Sequence, residues 1–270
     1  MKIKENVGLI GVGNMGTAIL EGLIKKKLIA GPQIIVYDKI TEKAGAFAKR
    51  WKAVRATSNK ELSKKSGIIL LAVKPQDLVS TAAEISDIWE KGHILISILA
   101  GMPIVRIRRV VGDIPHIVRA MPNLGAKVGQ SMTAITGGSE KALALAGRIF
   151  SGCGKVLELE EKHFDLVTAL SGSGPAYFFL LMEMLAEEGV KRGLSQKDAQ
   201  LLAVQTAVGA GLLAQSASES PAELRARVTS KGGTTEAALN VLEKGNIRQI
   251  FSEAIAAAHR RGQQLSGDGP

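Results

Sequence analysis

The sequence predicts an α/β chain: a doubly wound, mostly parallel sheet over residues 1–160, followed by an all-helical domain over residues 161–270. Three observations lead there. Short runs, wholly apolar at 68–73 and mostly apolar at 93–98, read as strands buried on both faces. Between such runs lie helical patterns of about 10–15 residues, the rhythm of a sheet wound with helices on both sides. After Glu160 the strand signals stop, and long Ala- and Leu-rich helical patterns take over. Because 46% of residues are hydrophobic but only 4% aromatic, Ala, Leu, Ile and Val must build the core, which suits this plan.

The first strand, 7–10, runs straight into Gly11, Val12, Gly13, Asn14, Met15 and Gly16, after which Ala18, Ile19, Leu20, Leu23 and Ile24 recur at helical spacing. G-x-G-x-x-G between a strand and a helix is a dinucleotide-binding, Rossmann-type signature. The first glycine permits a tight turn, the second lets a pyrophosphate reach the backbone, and the third lets helix and strand pack closely. A second strand, 33–37, ends at Asp38, where a carboxylate would bond the adenosine ribose hydroxyls of NAD; the other reading of Asp38 is an N-cap of the next helix. Lys39 and Lys43 are placed to attract the 2′-phosphate of NADP, so the local charges argue for both NADPH and NADH, with a slight lean to NADH. A helix at 41–51 follows. Strand 68–73 stops at Lys74 and Pro75, so Ala72, Val73, Lys74 and Pro75 fall at the carboxyl edge of the sheet, where the nucleotide crevice lies. Strand 93–98 delivers a small-residue loop to the same edge. Strands at 114–120 and 131–136, joined through Met121, Pro122 and Asn123, and a last strand at 155–159 complete the sheet.

Beyond 160, helices are predicted at 162–170, 177–191, 199–214, from Pro221 onward, behind Gly233, and at 248–264. Ser171, Gly172, Ser173, Gly174 and Pro175 break the first from the second, Ser195 reads as an N-cap, and 266–270 reads as a frayed tail. The helices at 177–191 and 199–214 are apolar on nearly all faces. That is more than a lone bundle can bury, so a homodimer at least is expected.

The net charge of +10 does not point to nucleic acid, because Lys and Arg are scattered and no aromatic-basic interleaving occurs. Its expected use is steering of anionic ligands. The single cysteine, Cys153, excludes an internal disulfide, and no Cys/His cluster has metal-ligand spacing, so no metal is expected. The N-terminus turns polar where a signal peptide would begin its apolar region, and no apolar run approaches the ~20 residues of a membrane span. A cytoplasmic protein without a membrane partner is the expectation. His93, His116, His163 and His259 have no partner at motif spacing, and Cys153 between glycines reads as a packing residue.

The remaining chemistry concentrates at Ser230, Lys231, Gly232, Gly233, Thr234 and Thr235, ahead of a helical run carrying Ala237, Ala238, Val241 and Leu242. Unpartnered N–H groups of a first helical turn, with the positive end of the dipole behind them, favour an anion. Two glycines allow close approach to the backbone, and two threonine hydroxyls add donors and acceptors.

Taken in order, Gly11-Val12-Gly13-Asn14-Met15-Gly16, Ala72-Val73-Lys74-Pro75, Met121-Pro122-Asn123, Ser171-Gly172-Ser173-Gly174-Pro175-Ala176-Tyr177 and Val228-Thr229-Ser230-Lys231-Gly232-Gly233-Thr234-Thr235 resemble the Δ1-pyrroline-5-carboxylate reductase family. The likeness spans essentially the whole chain, and the last two motifs together are specific to that family. It implies NAD(P)H-dependent reduction of the cyclic imine to L-proline, the final step of proline synthesis. It also implies a Rossmann domain and a helical domain that interlocks with a partner subunit, often within a decamer built of dimers.

The resemblance places cofactor contacts on Gly11, Val12, Gly13, Asn14, Met15, Gly16, Asp38, Asn59, Ala72, Val73, Lys74, Pro75, Ile98, Leu99 and Ala100. Substrate contacts fall on Thr234, Thr235 and Glu161, with Ser230 in the same loop. On this reading the substrate carboxylate rests on the N–H groups of Gly233, Thr234 and Thr235, and Thr235 Oγ bonds the ring nitrogen. No strong side-chain acid is evident there, so catalysis rests on positioning and on protonation of the imine by solvent. Many relatives have Pro where this chain has Lys231, and members differ at Asp38, so cofactor preference does not transfer. Several readings stay open at this stage. Lys74 is a donor or a structural residue, Glu161 a substrate contact or a helix-terminal carboxylate, and 171–175 a pocket wall or a plain turn. The rival functions are a same-fold reductase of another small cyclic imine or β-hydroxyacid, and a non-catalytic NAD(P)-binding regulator.

Overall fold

A computed structural model describes residues 2–267. Eight strands form one sheet in the order β3-β2-β1-β4-β5-β6-β7-β8. The strands are β1 (Val7–Ile10), β2 (Ile34–Tyr37), β3 (Val54–Arg55), β4 (Ile68–Leu71), β5 (Ile94–Ser97), β6 (His116–Met121), β7 (Ser131–Thr136) and β8 (Gly154–Glu158). Pairing is parallel throughout except between β6 and β7, which run antiparallel. The order reverses at β1, whose Ile10 lies beside Tyr37 on one side and Leu71 on the other. Such a reversal opens a crevice at the carboxyl ends of the strands, where ligands of doubly wound sheets bind.

Helices cover both faces, and the side-chain alternation of the strands divides the core accordingly. Leu9, Val36, Leu70, Ile96 and Val118 face α1 (Asn14–Lys25), α2 (Thr41–Trp51) and α6 (Glu140–Ser151), which contribute Ile19, Leu23, Phe47, Ile149 and Phe150. Ile10, Ile35, Ile69, Leu95 and Ile117 face α3 (Asn59–Lys64), α4 (Leu78–Ile85) and α5 (Ile104–Val111) through Leu62, Leu78, Ile85 and Ile107. Each such side chain, buried, contributes about 1.5–3 kcal/mol, so the two clusters fix strand register as well as stability.

The helical half comprises α7 (Phe164–Val167), α8 (Gly174–Lys191), α9 (Gln196–Ser216), α10 (Pro221–Arg227), α11 (Thr234–Lys244) and α12 (Ile247–Ser266). Ser195 caps α9 by accepting from Asp198 N, as expected, and Ser220 with Glu223 forms a capping box ahead of Pro221. The expected break at 171–175 is not there. Between α7 and α8 the chain stays helical as a π-turn, Thr168–Gly172, closed by Ser173 N donating to Thr168 O at 2.8 Å. Pro175 has no N–H for the carbonyl four residues back, and a wider turn ahead of it relieves the ring clash that an α-helix would impose.

Two compact units result: the chain up to Ser173, rejoined from Ala258, and the stretch Gly174–Ala257. The compact units thus divide after Ser173, within the predicted helical domain of residues 161–270. Ser266, expected in a frayed tail, is instead buried at the end of α12 and donates to Asp165 Oδ1 at 2.6 Å. Residues 268–270 of that expected tail lie outside the described residues. One helical run, Glu161–Lys191, proves long and apolar enough to cross a membrane by length and composition, against the expectation that none would be. A helix that packs against a partner subunit passes the same test.

Candidate active site

At the carboxyl edge of the first unit, each glycine of the β1–α1 loop has the role its spacing demands. Gly11 has φ +92°, and a Cβ there would lie 2.8 Å from Ala72 O. Gly13 has open space where a Cβ would be, so a ligand can reach its backbone. At Gly16 a Cβ would lie 3.0 Å from Gly11 O and press on Leu9, so only glycine lets α1 start this close to β1. Gly13 is the N-cap residue of α1, whose first turn has neither a side-chain cap nor an acidic residue. Its free N–H groups are therefore open to a pyrophosphate.

The edge is assembled by the strand register. Gly11 N donates to Tyr37 O, Ala72 N to Ile10 O and Ile98 N to Leu71 O, at 2.9, 2.9 and 3.1 Å. This draws together Gly11, Asp38, Ala72 and Ile98, four positions predicted to meet the cofactor. Asp38 Oδ2 accepts from Val12 N at 2.7 Å and Oδ1 from Ile40 N at 2.8 Å, so the carboxylate braces the glycine loop. Lys39 Nζ reaches Asp77 at 2.9 Å, and that hydrogen bond raises the ammonium above its ordinary pKa. Buried Asn59 donates Nδ2 to Glu84 at 3.0 Å, a geometry that fixes its orientation because a carboxylate only accepts. Its Oδ1 is left buried without a partner among the described residues. An orphaned acceptor of this kind calls for a donor from outside the chain. With the open space at Gly13, it makes these residues fit a bound dinucleotide.

Lys74 is exposed and extended, as its place before Pro75 requires, and Asp77 N bonds back to its carbonyl at 2.9 Å. Leu99 is buried, and Ala100 lies at the rim of a cavity of about 560 Å³ shared with Pro75, Met102, Arg106 and Leu265. None of the glycine loop lines it. This cavity is adjacent to the nucleotide edge rather than part of it.

In the second unit, Gly233 is the N-cap of α11 and Gly232 has φ +74°. The loop closes on itself through Gly233 N donating to Ser230 O at 3.0 Å, and Gly232 N donates to Glu236 Oε2 at 2.7 Å. The Gly233 N–H, expected to meet a substrate carboxylate, is thus already engaged. Those of Thr234 and Thr235 are not, and neither hydroxyl has a partner among the described residues. Glu161 belongs to the first unit. Its Oε1 accepts from Ile104 N at 2.7 Å and from Arg119 at 3.2 Å.

Two contacts join motifs that the sequence shows only as separate words. Asn123 Nδ2 donates to Ser171 Oγ at 3.1 Å, and Gly172 leaves room for the Met121 methyl. The 121–123 turn is thereby seated on the π-turn. Arg119 escaped the sequence reading, although an arginine inside an apolar strand is the signal that would have flagged it. Cys153 is fully buried, bonded to Phe150 O, and burial pushes its thiol up to about 11, so it is no nucleophile. His93 accepts from Glu90 N through Nδ1 at 2.9 Å beside Trp89. Among the described residues no group of His, Cys, Asp and Glu is placed to hold a metal ion.

Comparison with known proteins bears on both units. Residues 161–265 match the dimerisation domain of pyrroline-5-carboxylate reductases, and residues 6–101 match the NADP oxidoreductase, coenzyme F420-dependent domain. A pyrroline-5-carboxylate reductase of Synechocystis is 42% identical over 262 residues, covering 96% of this chain and 97% of the relative. The structure of a pyrroline-5-carboxylate reductase from Coxiella burnetii superposes with a TM-score of 0.92 at 35% identity, covering 98% of this chain and 99% of that one. A Plasmodium falciparum pyrroline carboxylate reductase with NADP bound gives 0.87 at 29% identity, with 98% of this chain and all of that chain covered. Fold, glycine edge and relatives agree throughout the chain's length, and the chain belongs to the pyrroline-5-carboxylate reductase family.

Proposed function

We propose that this chain reduces Δ1-pyrroline-5-carboxylate to L-proline with NAD(P)H, the last step of proline biosynthesis. The observation that carries the reading is the head of α11, where two N–H groups and two threonine hydroxyls without a partner among the described residues stand together. Thr234 and Thr235 N–H would hold the substrate carboxylate, aided by the dipole of an 11-residue helix. Ser230 and Gly233 shape the turn that presents them. Thr235 Oγ bonds the ring nitrogen and so holds the C=N bond in a fixed orientation.

In the first unit, Gly11, Val12, Gly13, Asn14, Met15 and Gly16 cradle the pyrophosphate. Asp38 and Asn59 hold the adenosine end, and Ala72, Val73, Lys74, Pro75, Ile98, Leu99 and Ala100 wall the nicotinamide end. The bound cofactor supplies a hydride to the imine carbon. The nitrogen takes its proton from solvent before that transfer, which makes the carbon electrophilic, and no protein acid is required. The assembly is a homodimer at least; a decamer built of dimers and a cytoplasmic location complete the proposal.

The test is steady-state oxidation of NADH and, separately, NADPH with Δ1-pyrroline-5-carboxylate, the product identified as proline. Thr235→Ala is expected to lower kcat/KM by roughly tenfold to a few hundredfold, the scale of one or two hydrogen bonds. Unchanged kinetics in that variant would remove Thr235 from the site. A folded wild-type protein that binds either cofactor without turnover would refute the reaction.

A further inference from the structure

Arg119 is the buried charge that the reaction as described leaves unused. Its side chain is 5% exposed, and it lies at the carboxyl end of β6, in register with Ser97 at the end of β5. An arginine is costly to bury unless charges and hydrogen bonds meet it. Here Nη1 donates to Glu161 Oε1 at 3.2 Å, Nη2 lies 3.9 Å from Asp165 Oδ1, and the guanidinium stacks 4.9 Å above the Phe164 ring.

Each carboxylate holds something else in turn. Glu161 Oε1 takes the Ile104 N–H at 2.7 Å, which is where the loop after β5 ends and α5 begins. Asp165 Oδ1 takes the Ser266 hydroxyl at 2.6 Å, at the end of α12. The same loop leans on α12 from the other side. Gly101, at φ +66°, would bring a Cβ within 2.9 Å of Leu265 Cβ, and Arg106 donates to Leu265 O at 3.1 Å. The segment 98–103 is therefore held at its carboxyl end by Glu161, which Arg119 pairs, and rests at Gly101 on the end of α12, which Asp165 holds through Ser266.

We infer that Arg119 is a positioning residue for cofactor binding: by neutralising Glu161 and Asp165 it lets Glu161 anchor the Ile104 N–H and so fixes the loop of Ile98, Leu99 and Ala100. Glu161 then belongs to this clamp and not to the substrate. Without the guanidinium, two partly buried carboxylates face one another uncompensated, and the cheapest relief is movement of Glu161 away from Ile104. Cofactor binding suffers first, because the loop serves the nicotinamide end.

This inference rests on the reductase reading for the identity of the cofactor and for its place against Ile98, Leu99 and Ala100. Binding is therefore read directly, by titrating reduced nicotinamide fluorescence with the full-length protein, alongside turnover. Arg119→Met is expected to raise the Kd of NAD(P)H about tenfold while changing kcat by less than about threefold, the pattern of lost binding energy shared by ground and transition states. Adding Glu161→Gln to that variant removes one stranded charge but keeps an acceptor for Ile104, and should restore most of the affinity. A role in packing alone would lower Tm, leave Kd in place and show no rescue. Unchanged Kd in folded Arg119→Met, or a double variant no better than the single, overturns the inference. If Arg119→Met does not fold, Glu161→Ala is expected to weaken cofactor binding several-fold more than Glu161→Gln; equal Kd values for the two overturn it as well. Loss of wild-type turnover with wild-type binding intact would count against the reaction and leave the clamp standing.

Discussion

At the scale of single residues, Asp38 shows how one carboxylate braces a loop. Its two oxygens accept from Val12 and Ile40, so its charge is fixed beside the glycine loop, where we place the adenosine ribose. Lys39, the cation that would welcome a 2′-phosphate, is drawn to Asp77. That pair is exposed and screened, so it restrains Lys39 weakly, whereas Asp38 is held by two backbone donors. The carboxylate therefore dominates, and the chain should favour NADH. Asp38→Asn keeps one acceptor but loses the charge and one backbone bond. The ratio of kcat/KM values for NADPH over NADH should then rise about tenfold, the scale of one charge-assisted hydrogen bond. Steady-state kinetics with both cofactors measure it, and an unmoved ratio would refute the assignment. The place of Asp38 beside the glycine loop was legible in the sequence because an acidic residue ended the second strand, which pairs with β1. The alternative N-cap reading missed by two residues, since Ile40 is the cap of α2 and Asp38 makes an Asx-turn ahead of it. Arg119 was not legible, because its partner Glu161 lies 42 residues away and only the folded sheet brings them together.

At the scale of elements, legibility followed periodicity. The buried strands β1, β4 and β5 and the long helices have patterns that local sequence cannot hide. β3 has two exposed residues and offers no pattern, and nothing local distinguishes the antiparallel β6–β7 pairing from a parallel one. The π-turn was misread as a break because glycine and proline usually end helices, whereas here Gly172 lies in the wider turn and Pro175 in the first turn of α8. Packing between elements can also outweigh propensity, and two glycines separate the effects. Gly22 in α1 faces the backbone of Gly152, and a Cβ would lie 2.7 Å from its carbonyl oxygen. Gly22→Ala gains up to ~1 kcal/mol of helix propensity but incurs ~1–3 kcal/mol of overpacking against backbone that cannot rotate away. Gly45 in α2 has nothing within 4 Å of its Cβ position, so Gly45→Ala keeps the propensity gain alone. Thermal unfolding should therefore show Tm lowered in the first variant and raised in the second. A stabilised Gly22→Ala protein would mean that α1 does not pack this closely on the α6–β8 turn.

At the scale of the whole molecule, the apolar excess of the helical half finds its explanation in assembly. α8 and α9 bury Ala186, Ala199 and Ala203 against one another, a small core for two long helices. Their larger side chains stay outside: Phe178, Phe179 and Leu185 on α8, and Leu201, Leu202 and Leu212 on α9, are all exposed in the single chain. So much exposed apolar surface on two paired helices is covered by a partner or leads to aggregation. The stretch coincides with the dimerisation domain of the family, and the sequence had already shown the excess, though not which side chains face outward. Covering each large side chain contributes about 1.5–3 kcal/mol, so a buried charge in its place should dominate the association energy. Leu185→Glu is therefore expected to shift the main species in sedimentation velocity from dimer toward monomer at micromolar concentration. Val79→Glu, which replaces a side chain 67% exposed on α4, outside this face, should leave the assembly as it is. If Leu185→Glu sediments like the wild type while Val79→Glu does not, subunits associate through the sheet-bearing unit, and the apolar face of α8 and α9 would need a different occupant.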